Sequence, residues 1–151
     1  MRCYHFGNMY LSSIQQGIQA AHAQMELFVK YNPALMKPAQ RDVCNNLYEW
    51  ATEHKTMICL NAGFNSEMLN IKEFLESEDN PYPWAAFYES EEAMGGLLTN
   101  IAIVLPEEVY SVSPETLNIA MQPGMWSPTT QGLTQFDRDL IRMKARYRMA
   151  S

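Results

Sequence analysis

The chain has 151 residues, of which 47% are hydrophobic and 19% charged, with a formal net charge of −6. That is one domain's worth of sequence with enough apolar residues for a core, which excludes a disordered chain. No apolar run approaches the ~20 residues of a membrane-spanning helix, and the acidic balance argues against a general nucleic-acid binder.

The opening MRCYHFGNMY has no apolar signal-peptide core, and Cys3, Cys44 and Cys59 are widely spaced and set in apolar runs. Both features point to reduced thiols in a cytoplasmic protein. Cys3, Tyr4 and Phe6 favour a short strand, with Gly7-Asn8 as its turn signal. Leu11, Ile14, Ile18, Ala21, Met25 and Phe28 then recur every three or four residues. They predict a helix with one apolar stripe, capped by Ser12 or Ser13 and stopped by Asn32-Pro33. Gly17 in mid-helix costs about 1 kcal/mol against Ala, which close packing on a sheet would offset.

A Pro-marked connection at 33–40 leads to a helix over 41–53. Thr56–Leu60 is a continuous apolar run and predicts a buried strand. Asn65 or Ser66 caps a helix through Ser77, with Met68, Ile71 and Leu75 inward. Trp84–Tyr88 is a third strand, 89–92 an acidic loop, and Leu97–Leu105 the clearest strand, ended by Pro106. This β-α-α-β-α-β-β order predicts an α/β three-layer sandwich. Its small mixed sheet has four strands, with helices on both faces. The short link between the last two strands favours an antiparallel pair. Residues 111–135, rich in Ser, Thr, Pro, Gly and Gln, read as an extended arm anchored by Met121, Met125 and Trp126. Residues 136–149 close as a helix with Phe136, Leu140, Met143 and Tyr147 on its apolar stripe. The chain thus divides into an α/β domain over 1–110 and a C-terminal arm and basic helix over 111–151.

The histidines form no HxxxH pair, the cysteines no CxxC, and there is no glycine-rich phosphate loop, so neither a metal nor a cofactor is implied. His54-Lys-Thr56 is a single H-x-T tripeptide where two-histidine phosphoesterases need two. On the first helix, Gln15, Gln19, His22 and Glu26 share one face. Amides offer both donors and acceptors, which suits the mixed edges of amide, sugar or base groups. Glu89 follows a buried strand, where α/β proteins place their sites.

These residues carry a resemblance. LSSIQQGIQAAHA, residues 11–23, resembles the first helix of the type 2 peptidyl-tRNA hydrolases, whose pattern is M-S-K-G-K-x-A-A-Q-C-x-H-A. Ser12, Gln19, His22 and Ala23 match in register. Thr56–Leu60, a helix and Trp84–Glu89 follow in the family's order, and Leu98–Pro106 resembles its closing strand, so the resemblance spans residues 2 to about 108. It implies a four-stranded mixed sheet, a homo-oligomer, and hydrolysis of the ester joining a peptide to tRNA. Glu89 and Thr99 then stand in catalytic positions, and Gln15, Gln19 and His22 bind substrate. Gln15 occupies the place of the family's lysine, which removes a fixed positive charge from the site. The alternative is an inactive member of the fold that sequesters a nucleotide or other small ligand. Arg142, Arg146 and Arg148 in the extension are candidates for contact with RNA or a partner.

Overall fold

The structure, a computed structural model, describes residues 1–125 and 127–150. Trp126, read above as an apolar anchor, lies outside the described residues. The architecture is α/β around a five-stranded mixed sheet in the order β3-β4-β1-β2-β5. Strand β1 (Arg2–Gly7) pairs parallel with β2 (Met57–Asn61) and antiparallel with β4 (Leu98–Leu105). Strand β3 (Trp84–Tyr88) lies antiparallel to β4 at one edge, and β5 (Arg148–Met149) antiparallel to β2 at the other. The fifth strand was not expected. Its two residues carry no alternation that a sequence pattern could show.

Alternation along the strands divides the core in two. Tyr4, Phe6, Ile101, Ile103 and Leu105 face one side. There they meet α3 (Asn65–Leu75), α5 (Glu107–Tyr110), α6 (Pro114–Ala120) and α7 (Gln135–Lys144). Cys3, Ala85, Ala102 and Val104 face the other side, against α1 (Ser13–Lys30) and α2 (Arg41–Glu49) with its following π-type turn at Trp50–His54. Every residue of β4 is buried, which is why this strand was the plainest in the sequence.

The extended arm is corrected in part. Ser113 caps α6 with Pro114 at its first position, and Leu117 enters the same core as Phe6. Phe136, Leu140, Ile141 and Met143 of α7 also join that core, so residues beyond 110 share it with the strands. Helix α7 ends earlier than expected and gives way to β5. The acidic loop contains a short helix, α4 (Glu91–Met94), capped by Ser90.

The larger correction concerns α1. Ile14, Ile18, Met25 and Val29 are 78, 50, 65 and 66% exposed, whereas Gln19, Ala20, Ala23 and Leu27 are buried. The helix has turned its large apolar stripe outward and its small-residue face inward. Ala23 packs in one cluster with Ala85 and Ala102. Small side chains on both partners let the helix lie close to the sheet. Gly17 takes no part, for a Cβ there would meet open space.

Candidate functional site

Close approach of α1 to the sheet brings a buried glutamine within reach of two strand ends. Thr99 Oγ1 donates to Gln19 Oε1 at 2.7 Å, and Gln19 Nε2 donates to Glu89 Oε2 at 2.9 Å. The register of β3 on β4 explains the aim of Thr99. Phe87 pairs with Asn100 and Tyr88 with Leu98, so Thr99 is the extra residue of a bulge. A bulge re-aims one side chain, and here it turns the hydroxyl under α1. The amide of Gln19 is thereby fixed, its oxygen toward Thr99 and its nitrogen toward Glu89.

The backbone N–H of Ser90 donates to Glu89 Oε1 at 3.0 Å, so both carboxylate oxygens have a donor. These bonds hold the Glu89 carboxyl below the usual carboxylate range, Ser90 N–H first, Gln19 next, with His22 adding to them. Glu89 is therefore a positioned anion at neutral pH. His22 is exposed and lies flat on the Phe87 ring, with centroids 4.6 Å apart and planes 11° apart.

Gln15 stands one helical turn before Gln19. Its backbone N–H meets Ser12 Oγ at 3.4 Å, and its Oε1 accepts from Ser12 N at 3.0 Å. This capping box spends the side-chain oxygen and leaves the amide hydrogens. Beside it lies a cavity of about 520 Å³ lined by Tyr10, Gln15, Ala93, Met94 and Leu97. That size is within the range of small-ligand sites, and no charged side chain lines it. Two left-handed glycines, Gly95 (φ 60) and Gly96 (φ 70), turn the chain from α4 back into β4.

No family model matches the chain, and no curated protein matches it significantly. The resemblance to the type 2 peptidyl-tRNA hydrolases thus stands on the residues quoted for it.

Of the residues expected to form a site, Gln19, Glu89 and Thr99 share one hydrogen-bonded chain, with His22 and Gln15 flanking it on α1. Thr99 and Gln19 are buried, so Thr99 reaches Glu89 only through the amide. Arg142, Arg146 and Arg148 are not part of this group. Helix α7 packs on the other sheet face, and Arg148 sits in β5 at the edge opposite β3.

Sequence reasoning missed Phe87, the platform under His22, and Asn8, which sets the loop into α1. Asn8 is buried, donates from Nδ2 to Leu98 O at 3.0 Å and accepts from Tyr10 N at 2.9 Å. The Gly7-Asn8 turn signal marked its place but not its partners.

A second polar line runs beneath α1. His5 Nδ1 lies 2.9 Å from Asn100 Oδ1, with Gln24 Nε2 at 3.3 Å and Cys3 Sγ at 3.4 Å from its Nε2. Because Asn100 presents an oxygen, Nδ1 carries the proton and Nε2 accepts. Burial pushes the imidazole pKa down and the Cys3 thiol up. Thiol, imidazole and amide are the residue types of a cysteine nucleophile. Here the thiol stays protonated and covered, so the line is structural.

Proposed function

We propose that this chain is an ester hydrolase whose working group is Glu89, with the ester of peptidyl-tRNA or a related acyl or nucleotide ester as substrate. The observation that carries this reading is the Thr99–Gln19–Glu89 chain, joined to an uncharged cavity through Leu97, which lines the cavity and whose O accepts from Glu89 N at 2.9 Å. An ionised, oriented carboxylate takes a proton from water as the water oxygen bonds to the acyl carbon. The ester C–O bond then breaks, and the proton passes to the leaving ribose oxygen. General-base assistance of this kind contributes roughly 10²–10⁴-fold. Gln15 offers amide hydrogens to the developing oxyanion, and Tyr10, Met94 and Leu97 receive apolar groups of the acyl part. Thr99 and Gln19 are positioning residues. Purified protein incubated with N-acetylated aminoacyl-tRNA is expected to release free tRNA. No release at high protein concentration overturns the reading.

A second reading is favoured by one observation: Gln15 is neutral, and its oxygen is tied into the helix cap. The same site would then hold a nucleotide or other small ligand without turning it over. Native mass spectrometry of protein taken directly from cells separates the two, since capture leaves a retained mass and turnover does not.

We also infer a homo-oligomer and a cytoplasmic setting. The outward stripe of α1 supports the first, because contiguous apolar patches of this kind seldom stay in water. The free cysteines support the second, two of them buried and Cys59 half-buried. Among the described residues no helix is long and apolar enough to cross a membrane.

A further inference from the structure

The cleft between α3 and α7 lies on the sheet face away from Glu89. Its volume is about 460 Å³, and neither the resemblance nor the proposed reaction uses it. Its floor is apolar and anchored. Phe74 stacks on Phe136, with centroids 4.8 Å apart and planes 6° apart, and Tyr147 meets Phe6 edge-on at 5.9 Å. Its walls are polar. Arg142 and Arg146 come from the C-terminal end of α7 and the turn after it, and Glu67 and Asn70 from α3.

Much of that polar capacity is unspent. The ion pair of Arg142 with Asp139 is long, 3.7 Å, and about half-exposed. Arg146 makes no ion pair among the described residues. Glu67 Oε2 accepts from Phe64 N at 3.1 Å and Ser66 Oγ at 2.9 Å, which leaves Oε1 for another donor. The backbone N–H of Glu67 itself first, then the Ser66 hydroxyl and the Phe64 N–H, hold the Glu67 carboxyl below its usual range, so it is ionised.

We propose that this cleft binds a nucleoside 5′-monophosphate. The base packs on Phe74 and Tyr147, the phosphate meets Arg142 and Arg146, and the donors on the base edge face Glu67 and Asn70. Guanidinium pairs match phosphate geometry, and aromatic faces stack on any base. The charge balance narrows the ligand further. Glu67 and Asp139 offset the two arginines, so a bare anion finds no net attraction and needs the ring's burial as well. A longer strand would bring additional phosphates against the same two carboxylates.

Calorimetric titration of the full chain with GMP, AMP, CMP, UMP and inorganic phosphate tests this. At least one nucleotide is expected to bind saturably, at least tenfold tighter than inorganic phosphate. The Arg142→Ala/Arg146→Ala double variant is expected to lose at least tenfold in affinity, while Glu89→Gln binds as the wild type does. If the double variant melts early, Arg146→Gln, at an exposed position, replaces it with an expected loss of at least threefold. Four nucleotides no tighter than inorganic phosphate, or affinity unchanged in the arginine variants, overturns the proposal. Because Glu89→Gln is the control, failure here is distinguishable from failure of the ester-hydrolase reading.

Discussion

Glu89 shows how two donors fix a single carboxylate as an oriented anion. Its two donors, Ser90 N–H and the Gln19 amide, favour the charged form, so its pKa falls below the ordinary 4.5. In the proposed hydrolysis the working form is the anion, present above the folded pKa and lost as pH falls through it. The acid limb of kcat/KM is therefore expected to have its midpoint below 4.5. Gln19→Leu removes one donor and should move that midpoint upward, while an unmoved midpoint would show that the amide does not act on Glu89. The residues of this chain were readable in the sequence because they stand where a helix face and strand ends carry polar groups between apolar ones. The roles of Gln19 and Thr99 were not readable. A β-bulge and an Ala-on-Ala contact decide that both are buried, and neither leaves a periodic mark.

Helix α1 was found in its place with its Ser12 cap, yet its inward face was taken from the wrong side. Counting large apolar residues selects Ile14, Ile18 and Met25, while the sheet selects Ala20, Ala23 and Leu27. The outward stripe has a consequence for assembly: Ile18→Glu places a charge in it. Light scattering after size exclusion is expected to show an oligomer for the wild type and a monomer for this variant. Equal masses for the two proteins would remove the stripe from the interface. At α7 the sequence hid a cap. Thr134 Oγ1 accepts from Asp137 N at 3.1 Å, and Asp137 Oδ2 accepts from Thr134 N at 2.8 Å. Asp137 Oδ1 also takes the Tyr82 hydroxyl at 2.6 Å, and the carboxylate is buried. Asp137→Ala orphans both donors and should cost roughly 2 kcal/mol, a fall in Tm of about 4–8 °C. Thermal unfolding followed by circular dichroism reads this directly, and a change below 1 °C would mean that the cap is dispensable.

At the scale of the molecule, the alternation of strands and helices announced the α/β sandwich and the antiparallel β3–β4 pair. It did not announce how far the C-terminal segment belongs to the core. Leu117, Phe136, Leu140 and Ile141 cover the same sheet face as Phe6 and Ile103. The stripe of Phe136 and Leu140 was legible, but a helical period does not say which surface the helix packs on, and Leu117 stands in a Ser-, Thr- and Pro-rich stretch with no repeat. A fragment of residues 1–110 would expose that face and is expected to lose cooperative thermal unfolding. A sharp transition near the full-length Tm would show that the first 110 residues suffice. The same layout separates the arginine cleft from the Glu89 chain by the thickness of the sheet, so the two can be altered independently. The most direct test of the central claim is the rate of tRNA release from N-acetylated aminoacyl-tRNA by the wild type and by Glu89→Gln, with Tm measured on both. The account predicts measurable turnover, a loss of at least about 100-fold in the variant, and matching Tm values. Equal rates for the two proteins would contradict it.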